Sequence, residues 1–339
     1  MGTMGGSRGM TTLREYLASG AALASPGDLE AGPLASIVLA IAALSVAIAD
    51  EIRSPSPKVP EEPKTVASPD LATQALARAL AGQGVRHLVS TEFRDPIVLD
   101  EQGGFSVALQ PLAGVRDLDV NAAAGTIFSV STLDRPRALP ADAELRAAGM
   151  VVYGPQTILV LTLGEDVALF SLGREPNGFL LREDKVRIPE FSRECAINAP
   201  HHPRWDVATR AFVDELSDSE ARPNLEIRYL SSLVADTFRI LVRGGILVDA
   251  FTPRGEPESA GAHLLCEARP IALLVERAGG RASTGRTRIL DLKAIGPHDR
   301  TPMILGSSAM VQKIERLYAR PDNLADVSPL FGKRGLFRA

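Results

Sequence analysis

The stretch that decides the fold is Phe105-Ser106-Val107-Ala108-Leu109, followed by Gln110-Pro111-Leu112-Ala113-Gly114-Val115-Arg116-Asp117-Leu118-Asp119 and closing, beyond Asn121, on Gly125-Thr126-Ile127-Phe128. An apolar, strand-like run leads in. The chain turns at Pro111 and Gly114, then re-enters an apolar run at Thr126. A loop at the carboxyl end of a strand is where α/β folds keep their chemistry.

Working outward, the 339 residues suffice for one large or two medium domains with a proper core. Lys and Arg number 37 against 41 Asp and Glu, a formal net charge of -4, which gives no electrostatic case for nucleic acid or an anionic membrane. Aromatic residues make up 5% with one Trp, too few for base-stacking platforms. The two cysteines, Cys195 and Cys266, stand far apart in no CxxC pattern and read as buried thiols in a reducing, cytoplasmic compartment. Residues 1–9 are Gly-rich and read as a disordered leader, with Met10 a candidate start. Leu34 to Ala49 is uncharged but falls short of the ~20 residues that span a bilayer, so it reads as a helix buried inside the domain.

The remaining pattern alternates helices and strands. Met10 to Leu17 has helical spacing; 27–32 and the proline-rich 54–64 read as loops. Ser68-Pro69-Asp70 is a helix start, with the helix stopping at Gly82. Strands are expected at 85–91, 126–131, 150–152 and 158–163, with hairpins joining 97–99 to 105–109 and 167–172 to 179–181. A short strand at 185–188 precedes a polar segment from Ile197-Asn198 that carries His201 and His202. Helices at 205–216, 232–242, 270–278 and 307–317 and strands at 246–251 and 303–305 follow, with a loop over 252–261. The expected organisation is an N-terminal half over 10–185, a C-terminal half over 186–320 and a tail over 321–339, in layered α/β sheets. There is no Gly-rich phosphate loop with Lys and no Gly-x-Ser-x-Gly. His201 and His202 have no third His or Cys at ligand spacing, so a polar loop is the better reading.

The loop after Leu109 resembles the metal loop of the class I fructose-1,6-bisphosphatases, Asp-Pro-Leu-Asp-Gly-Ser-Ser-Asn-Ile-Asp followed by Gly-Thr-Ile-Phe. Pro111, Leu112, Gly114, Asp119 and Gly125-Thr126-Ile127-Phe128 match. Arg228-Tyr229-Leu230-Ser231-Ser232-Leu233-Val234-Ala235-Asp236 is similar to the family's Arg-Tyr-x-Gly-Ser-Met-Val-Ala-Asp. Cys266-Glu267-Ala268-Arg269-Pro270-Ile271-Ala272, Glu276-Arg277-Ala278-Gly279-Gly280 and Tyr153-Gly154-Pro155-Gln156-Thr157 match in order as well. The resemblance implies a layered α/β/α/β/α sandwich of the sugar phosphatase type, forming homotetramers, with the site between its halves.

It also implies Mg²⁺-dependent hydrolysis of the 1-phosphate of fructose 1,6-bisphosphate or sedoheptulose 1,7-bisphosphate. Metal ions there neutralise the phosphate and hold a water for in-line attack, which needs several carboxylates on one point. Here the metal positions fall on Thr91, Gln110, Ala113 and Glu267, with the Leu112 carbonyl; only Glu267 is a carboxylate. Asp70 and Glu92 match the acidic residues that help activate water, while a further aspartate of the family falls near Lys64. Asn198, Arg228 and Tyr229 match the group that holds the distal phosphate. Asp249 replaces a tyrosine of that group, and Gly261, Ala262 and His263 stand where a lysine and an arginine are expected. Arg116 brings a positive charge to the metal loop and is a candidate for holding phosphate, or else for pairing with Asp117 or Asp119. Two expectations follow: a sugar-bisphosphate phosphatase, or a catalytically inactive paralogue with a regulatory or structural role.

Overall fold

The computed structural model describes residues 11–19, 31–54, 68–133, 143–174, 178–217, 226–249 and 261–319. The expected leader, the tail, Lys64 and most of the loops at 27–32, 54–64 and 252–261 lie outside the described residues.

Three helices open the chain: α1 (Leu13–Ala18), α2 (Ala31–Arg53) and α3 (Pro69–Leu80). The Thr12 hydroxyl accepts from the Glu15 amide and the Glu15 carboxylate accepts in return from the Thr12 amide, a reciprocal cap that starts α1. The apolar run expected to be a buried helix is one: Ile37, Ile41 and Ile48 of α2 are fully buried. Length and composition would let this helix cross a membrane, but its apolar side chains belong to the core beneath the first sheet.

That sheet has eight strands: β1 (Val85–Ser90), β2 (Ile97–Val98), β3 (Phe105–Ala113), β4 (Ala124–Thr132), β5 (Glu144–Tyr153), β6 (Thr157–Thr162), β7 (Val167–Leu172) and β8 (Phe179–Glu183). Their spatial order is β2-β1-β3-β4-β5-β6-β7-β8, and only β1 and β3 run parallel. The expected hairpin of 97–99 with 105–109 does not form. β2 pairs with β1, with Val98 more than half exposed, while β3 is buried along most of its length and takes the interior place on the other side of β1. The expected hairpin of β7 with β8 is present.

The second sheet contains β9 (Glu194–Ile197), β10 (Glu226–Ile227), β11 (Ile246–Asp249), β13 (Arg281–Ser283) and β15 (Met303–Gly306), in the order β10-β9-β11-β15-β13. A two-stranded ribbon pairs β12 (Ala262–His263) with β14 (Arg300–Thr301). Residues 185–188 form no strand: the Val186 amide donates to the Val167 carbonyl and the Ile188 amide to the Ala278 carbonyl, single bonds without a ladder. The strand of this region lies later, at β9, whose short apolar run is hidden between polar neighbours.

The helices α4 (Val207–Ser217), α5 (Leu233–Arg243), α6 (Arg269–Arg277) and α7 (Ser308–Ala319) complete the layers. One core joins α1, α2 and α3 to a face of the first sheet. A second places α5 and α6 between the other face, through Ile127, Met150 and Val160, and the second sheet, through Ala196, Leu247 and Leu305. A third covers the outer face of that sheet with Phe212 of α4 and Val311 of α7. The result is the expected α/β/α/β/α sandwich, in which apolar burial on both faces of each sheet supplies most of the stabilisation.

Candidate active site

The loop that opened the sequence analysis begins in a β-bulge. Gln110 faces Ile127 across β4 but Ala113 faces Gly125, so β3 spends one more residue than its partner. Pro111, with no amide hydrogen, sits inside the bulge. Its carbonyl accepts from the Thr126 hydroxyl at 2.7 Å, which in turn meets the Tyr153 hydroxyl at 2.7 Å. Tyr153 is wholly buried, which pushes its pKa up to about 12, so it stays a neutral partner. Gly114 follows in the left-handed region at φ 78° and leads into a 3-10 turn, Val115–Asp117. The bulge and this turn aim Gln110 and Ala113 off the end of the sheet.

Three further pieces arrive at the same end. β1 is parallel to β3, so Thr91 and Glu92 leave the sheet beside Gln110. The Thr73 hydroxyl of α3 meets the Ser90 hydroxyl at 3.0 Å, placing the first turn of α3, with Asp70, against the end of β1. Residues Leu264–Ala268 form a π-helical turn that carries Glu267 into the gap.

The contacts inside this gap are specific. The Gln110 amide nitrogen donates to Glu267 Oε1 at 3.1 Å, and the Gln110 amide oxygen lies 2.8 Å from the Thr91 hydroxyl. That hydroxyl is also 3.0 Å from Glu92 Oε1 and shares its one proton between the two acceptors. Glu267 Oε2 accepts from the His263 amide at 2.7 Å. Ala113 contributes a buried methyl group, and the side chain of Leu112 is buried, leaving only its carbonyl to offer. Asp70 is exposed; the Ser68 hydroxyl donates to it and holds its carboxyl below the ordinary value. Glu92 and Arg116 are exposed too. Among the described residues Arg116 forms no ion pair with Asp117 or Asp119.

A Mg²⁺ ion asks for oxygen donors in near-ideal octahedral geometry at about 2.0–2.1 Å. Among the described residues no three His, Cys, Asp or Glu side chains gather where an ion could be held. The one carboxylate at the expected centre already accepts two N–H groups. These residues do not fit the ion.

The second group lies at the carboxyl ends of three parallel strands, β9, β10 and β11. Asn198 follows β9, Arg228 and Tyr229 follow β10, and Asp249 ends β11. Burial, the largest influence, raises the Tyr229 pKa, against the opposing pull of the Ser231 and Asn198 side chains. Desolvation, the larger influence, raises the Asp249 pKa, and the charge of His201 nearby opposes it. His201 sits 3.5 Å from Asn198 and His202 packs edge-on against Trp205, both within a 3-10 turn. Arg228 is exposed and pairs with Glu226 at 2.7 Å and Glu194 at 3.6 Å.

Two residues to which the sequence assigns no role hold this group in place. Asp236, on α5 and 1% exposed, accepts from the Leu230 amide at 3.0 Å. Arg239, one turn on, donates to Asp236, to Glu194 and to the Arg228 carbonyl. Ser231 occupies the left-handed region at φ 57°, at the position where the resembling pattern has glycine. The Ser232 hydroxyl caps α5 and donates to the Ala123 carbonyl at 2.9 Å, so the loop carrying Arg228 and Tyr229 abuts the segment that leads from the metal loop into β4. The motif spacing placed Arg228 and Tyr229; no sequence signal marked Asp236 or Arg239 as the clamp.

A five-layered α/β/α/β/α sandwich with polar side chains gathered at the ends of parallel strands is the architecture of the sugar phosphatases. Two family models match: "Fructose-1-6-bisphosphatase, N-terminal domain" over residues 66–184 and "Fructose-1-6-bisphosphatase, C-terminal domain" over residues 188–319. The class 1 fructose-1,6-bisphosphatase of Bradyrhizobium diazoefficiens is 42% identical over 281 residues, covering 79% of this chain and 81% of the relative. That of Rhodopseudomonas palustris is 41% identical over 273 residues, covering 79% of each. The apo crystal structure of Leishmania major fructose-1,6-bisphosphatase superposes with a TM-score of 0.80 at 26% identity, covering 92% of this chain and 100% of that one. The chain belongs to the class 1 fructose-1,6-bisphosphatase family.

Proposed function

We propose that this chain engages a sugar bisphosphate, fructose 1,6-bisphosphate or sedoheptulose 1,7-bisphosphate, and acts on its 1-phosphate as a phosphatase of carbohydrate metabolism in the cytoplasm, assembled as a homotetramer. The observation that carries this reading is the placement of Asn198, Arg228 and Tyr229 at the ends of two adjacent parallel strands, beside Asp236 and Arg239, which hold the Leu230 amide and the Arg228 carbonyl, in a chain of this family. In this reading the three hold the distal phosphate, Arg228 exchanging its exposed ion pairs for it. Arg116 faces the reacting phosphate, and Asp70 and Glu92 are the groups available to take a proton from water. Glu267 and the Leu112 carbonyl are what remains of the metal-binding positions. A family member with all its carboxylates has a far lower barrier: each lost ligand removes on the order of several kcal/mol of transition-state stabilisation, and about 1.4 kcal/mol is tenfold in rate.

A second reading, a catalytically inactive paralogue with a regulatory or structural role, rests on the replacement of three metal-binding carboxylates by Thr91, Gln110 and Ala113, with Gln110 bonded to Glu267. The deciding experiment is phosphate release from fructose 1,6-bisphosphate by the purified protein with Mg²⁺ or Mn²⁺, beside a Glu267→Ala control. Release that disappears in the control supports the phosphatase; release equal in both belongs to a contaminant and leaves the second reading standing.

A further inference from the structure

We propose that the Thr91-Gln110-Glu267 chain is a built replacement for the divalent cation, so that this site takes its phosphorylated ligand without metal. The proposal rests on the sugar-bisphosphate reading above for the identity of the ligand, and on the geometry of the gap for the absence of metal.

The argument begins with charge. A set of carboxylates converging on one point repels itself and is stable only around a cation. At the four expected ligand positions the set has been reduced to one part-buried carboxylate, a carboxamide, a hydroxyl and a methyl group, with the exposed Glu92 carboxylate 3.0 Å from that hydroxyl. Charge balance no longer calls for an ion. Simple loss would leave orphaned polar atoms, since a partly buried carboxylate without partners is costly. Instead each atom has a complement. Glu267 Oε1 receives the Gln110 N–H at 3.1 Å and Glu267 Oε2 receives the His263 N–H at 2.7 Å. The Gln110 oxygen faces the Thr91 hydroxyl at 2.8 Å. Gln110 suits this post because a carboxamide carries a donor and an acceptor on one planar head. An aspartate there offers acceptors alone and would turn one against Glu267. Ala113 beside it removes a further acceptor and leaves no polar atom to satisfy.

For a cation to enter between Gln110 and Glu267, Gln110 would have to swing its donor away from Glu267 Oε1 and give up that bond in exchange for the ion. The compensation for that exchange is small when Glu267 is the one carboxylate at the expected ligand positions and Glu92, the other carboxylate nearby, is exposed and already faces the Thr91 hydroxyl. The positive charge that a phosphate needs comes instead from Arg116, exposed on the turn that follows Gly114, and from Arg228 at the other end. Both are guanidinium groups, which pair with phosphate in a two-pronged fashion and require no metal to do so.

The test has two arms on the full chain. In the first, Mn²⁺ alone is titrated into the protein and followed by loss of its free electron paramagnetic resonance signal. The wild type is expected to leave the signal unchanged through the millimolar range, and Thr91→Glu/Gln110→Asp/Ala113→Asp to bind Mn²⁺; retention of the wild-type circular dichroism spectrum establishes that this variant is folded. Should it not fold, the wild-type titration still decides: Mn²⁺ bound by the wild type overturns the proposal. In the second arm, fructose 1,6-bisphosphate is titrated calorimetrically in EDTA and in excess Mg²⁺. Equal affinity supports metal-free capture, whereas affinity raised by about tenfold or more with Mg²⁺ overturns it. No heat in either buffer overturns the sugar-bisphosphate reading, and with it capture of this ligand, a result distinct from a wild type that binds metal.

Discussion

Gln110 and Glu267 stand 157 residues apart in the chain and are joined by a 3.1 Å hydrogen bond across the gap between the first sheet and the π-helical turn. The bond ties β3 to the segment that enters α6, and so it bears on stability as well as on the site. Replacing Gln110 with Leu removes the donor to Glu267 and the acceptor for Thr91. The variant is expected to lose about 1–3 kcal/mol, read as a lower midpoint in urea with an unchanged slope. Gln110→Glu puts a second carboxylate against Glu267 and is expected to cost at least as much at neutral pH and less in acid, where the pair shares a proton.

Asp236 offers a pH-dependent counterpart. Burial, the largest influence, holds its carboxyl above the ordinary value, against the opposing pull of the Leu230 amide and Arg239. The folded chain therefore binds this proton more tightly than the unfolded chain does, so the contribution of Asp236 to stability falls as pH rises through the carboxylate range. Asp236→Asn, which keeps the amide-accepting oxygen, is expected to cost about 1 kcal/mol at pH 7. Asp236→Ala leaves Arg239 and the Leu230 amide without their acceptor and is expected to cost about 3 kcal/mol. Paired denaturation curves of the two variants at pH 4 and pH 7 check the ordering.

Cys195 and Cys266 are buried free thiols whose pKa values burial pushes up to about 12. The native protein is expected to leave both unreacted with a thiol reagent at pH 8, and the denatured protein to titrate two. Since the unfolded thiols ionise near pH 9 and the folded ones do not, stability is expected to decline from about pH 9 towards pH 12, by up to several kcal/mol, and to be unaffected by these groups below that window.

At Ser231 the backbone adopts φ 57°, which costs an L-residue roughly 1–2 kcal/mol. Ser231→Gly relieves that strain while loosening the unfolded chain, and is expected to leave the melting temperature equal or slightly higher. Ser231→Val adds a branched Cβ in the same region and is expected to lower it by several degrees. A fall with glycine would mean that the serine side chain contributes more than its backbone strain takes away.

The fold was legible where local chemistry and tertiary demand agreed. Ser68-Pro69-Asp70 starts a helix by its own geometry, and the uncharged run at 34–49 has nowhere to go but a core. The order of motifs placed the sandwich and its site loop together. What was not legible depends on partners remote in sequence. Nothing in Ile97–Val98 says that it pairs with β1 rather than β3, because that choice is made by which strand must be buried on both faces. The π-helical turn at Leu264–Ala268 has no periodicity to betray it in five residues. At the site, the missing carboxylates were visible as Gln110, Ala113 and Thr91, yet their mutual hydrogen bonding was not, since it needs the bulge at Pro111 to turn Gln110 towards Glu267. Arg116 has Asp117 and Asp119 close in sequence, yet among the described residues it pairs with neither, which local spacing alone does not reveal.

The depth of α2 in the molecule has a consequence for biosynthesis. Ile37, Ile41 and Ile48 are fully buried in the core that α2 shares with the first sheet, but a ribosome adding about 5–20 residues per second completes α2 roughly four seconds or more before β4, about 70 residues later, begins to emerge. Throughout that interval a greasy helix, uncharged until its final turns, hangs from the exit tunnel with no sheet to lie on. The newborn chain is thus a client for whatever in the cell shelters naked apolar segments, and the speed at which translation reaches Tyr153 sets how long it stays one.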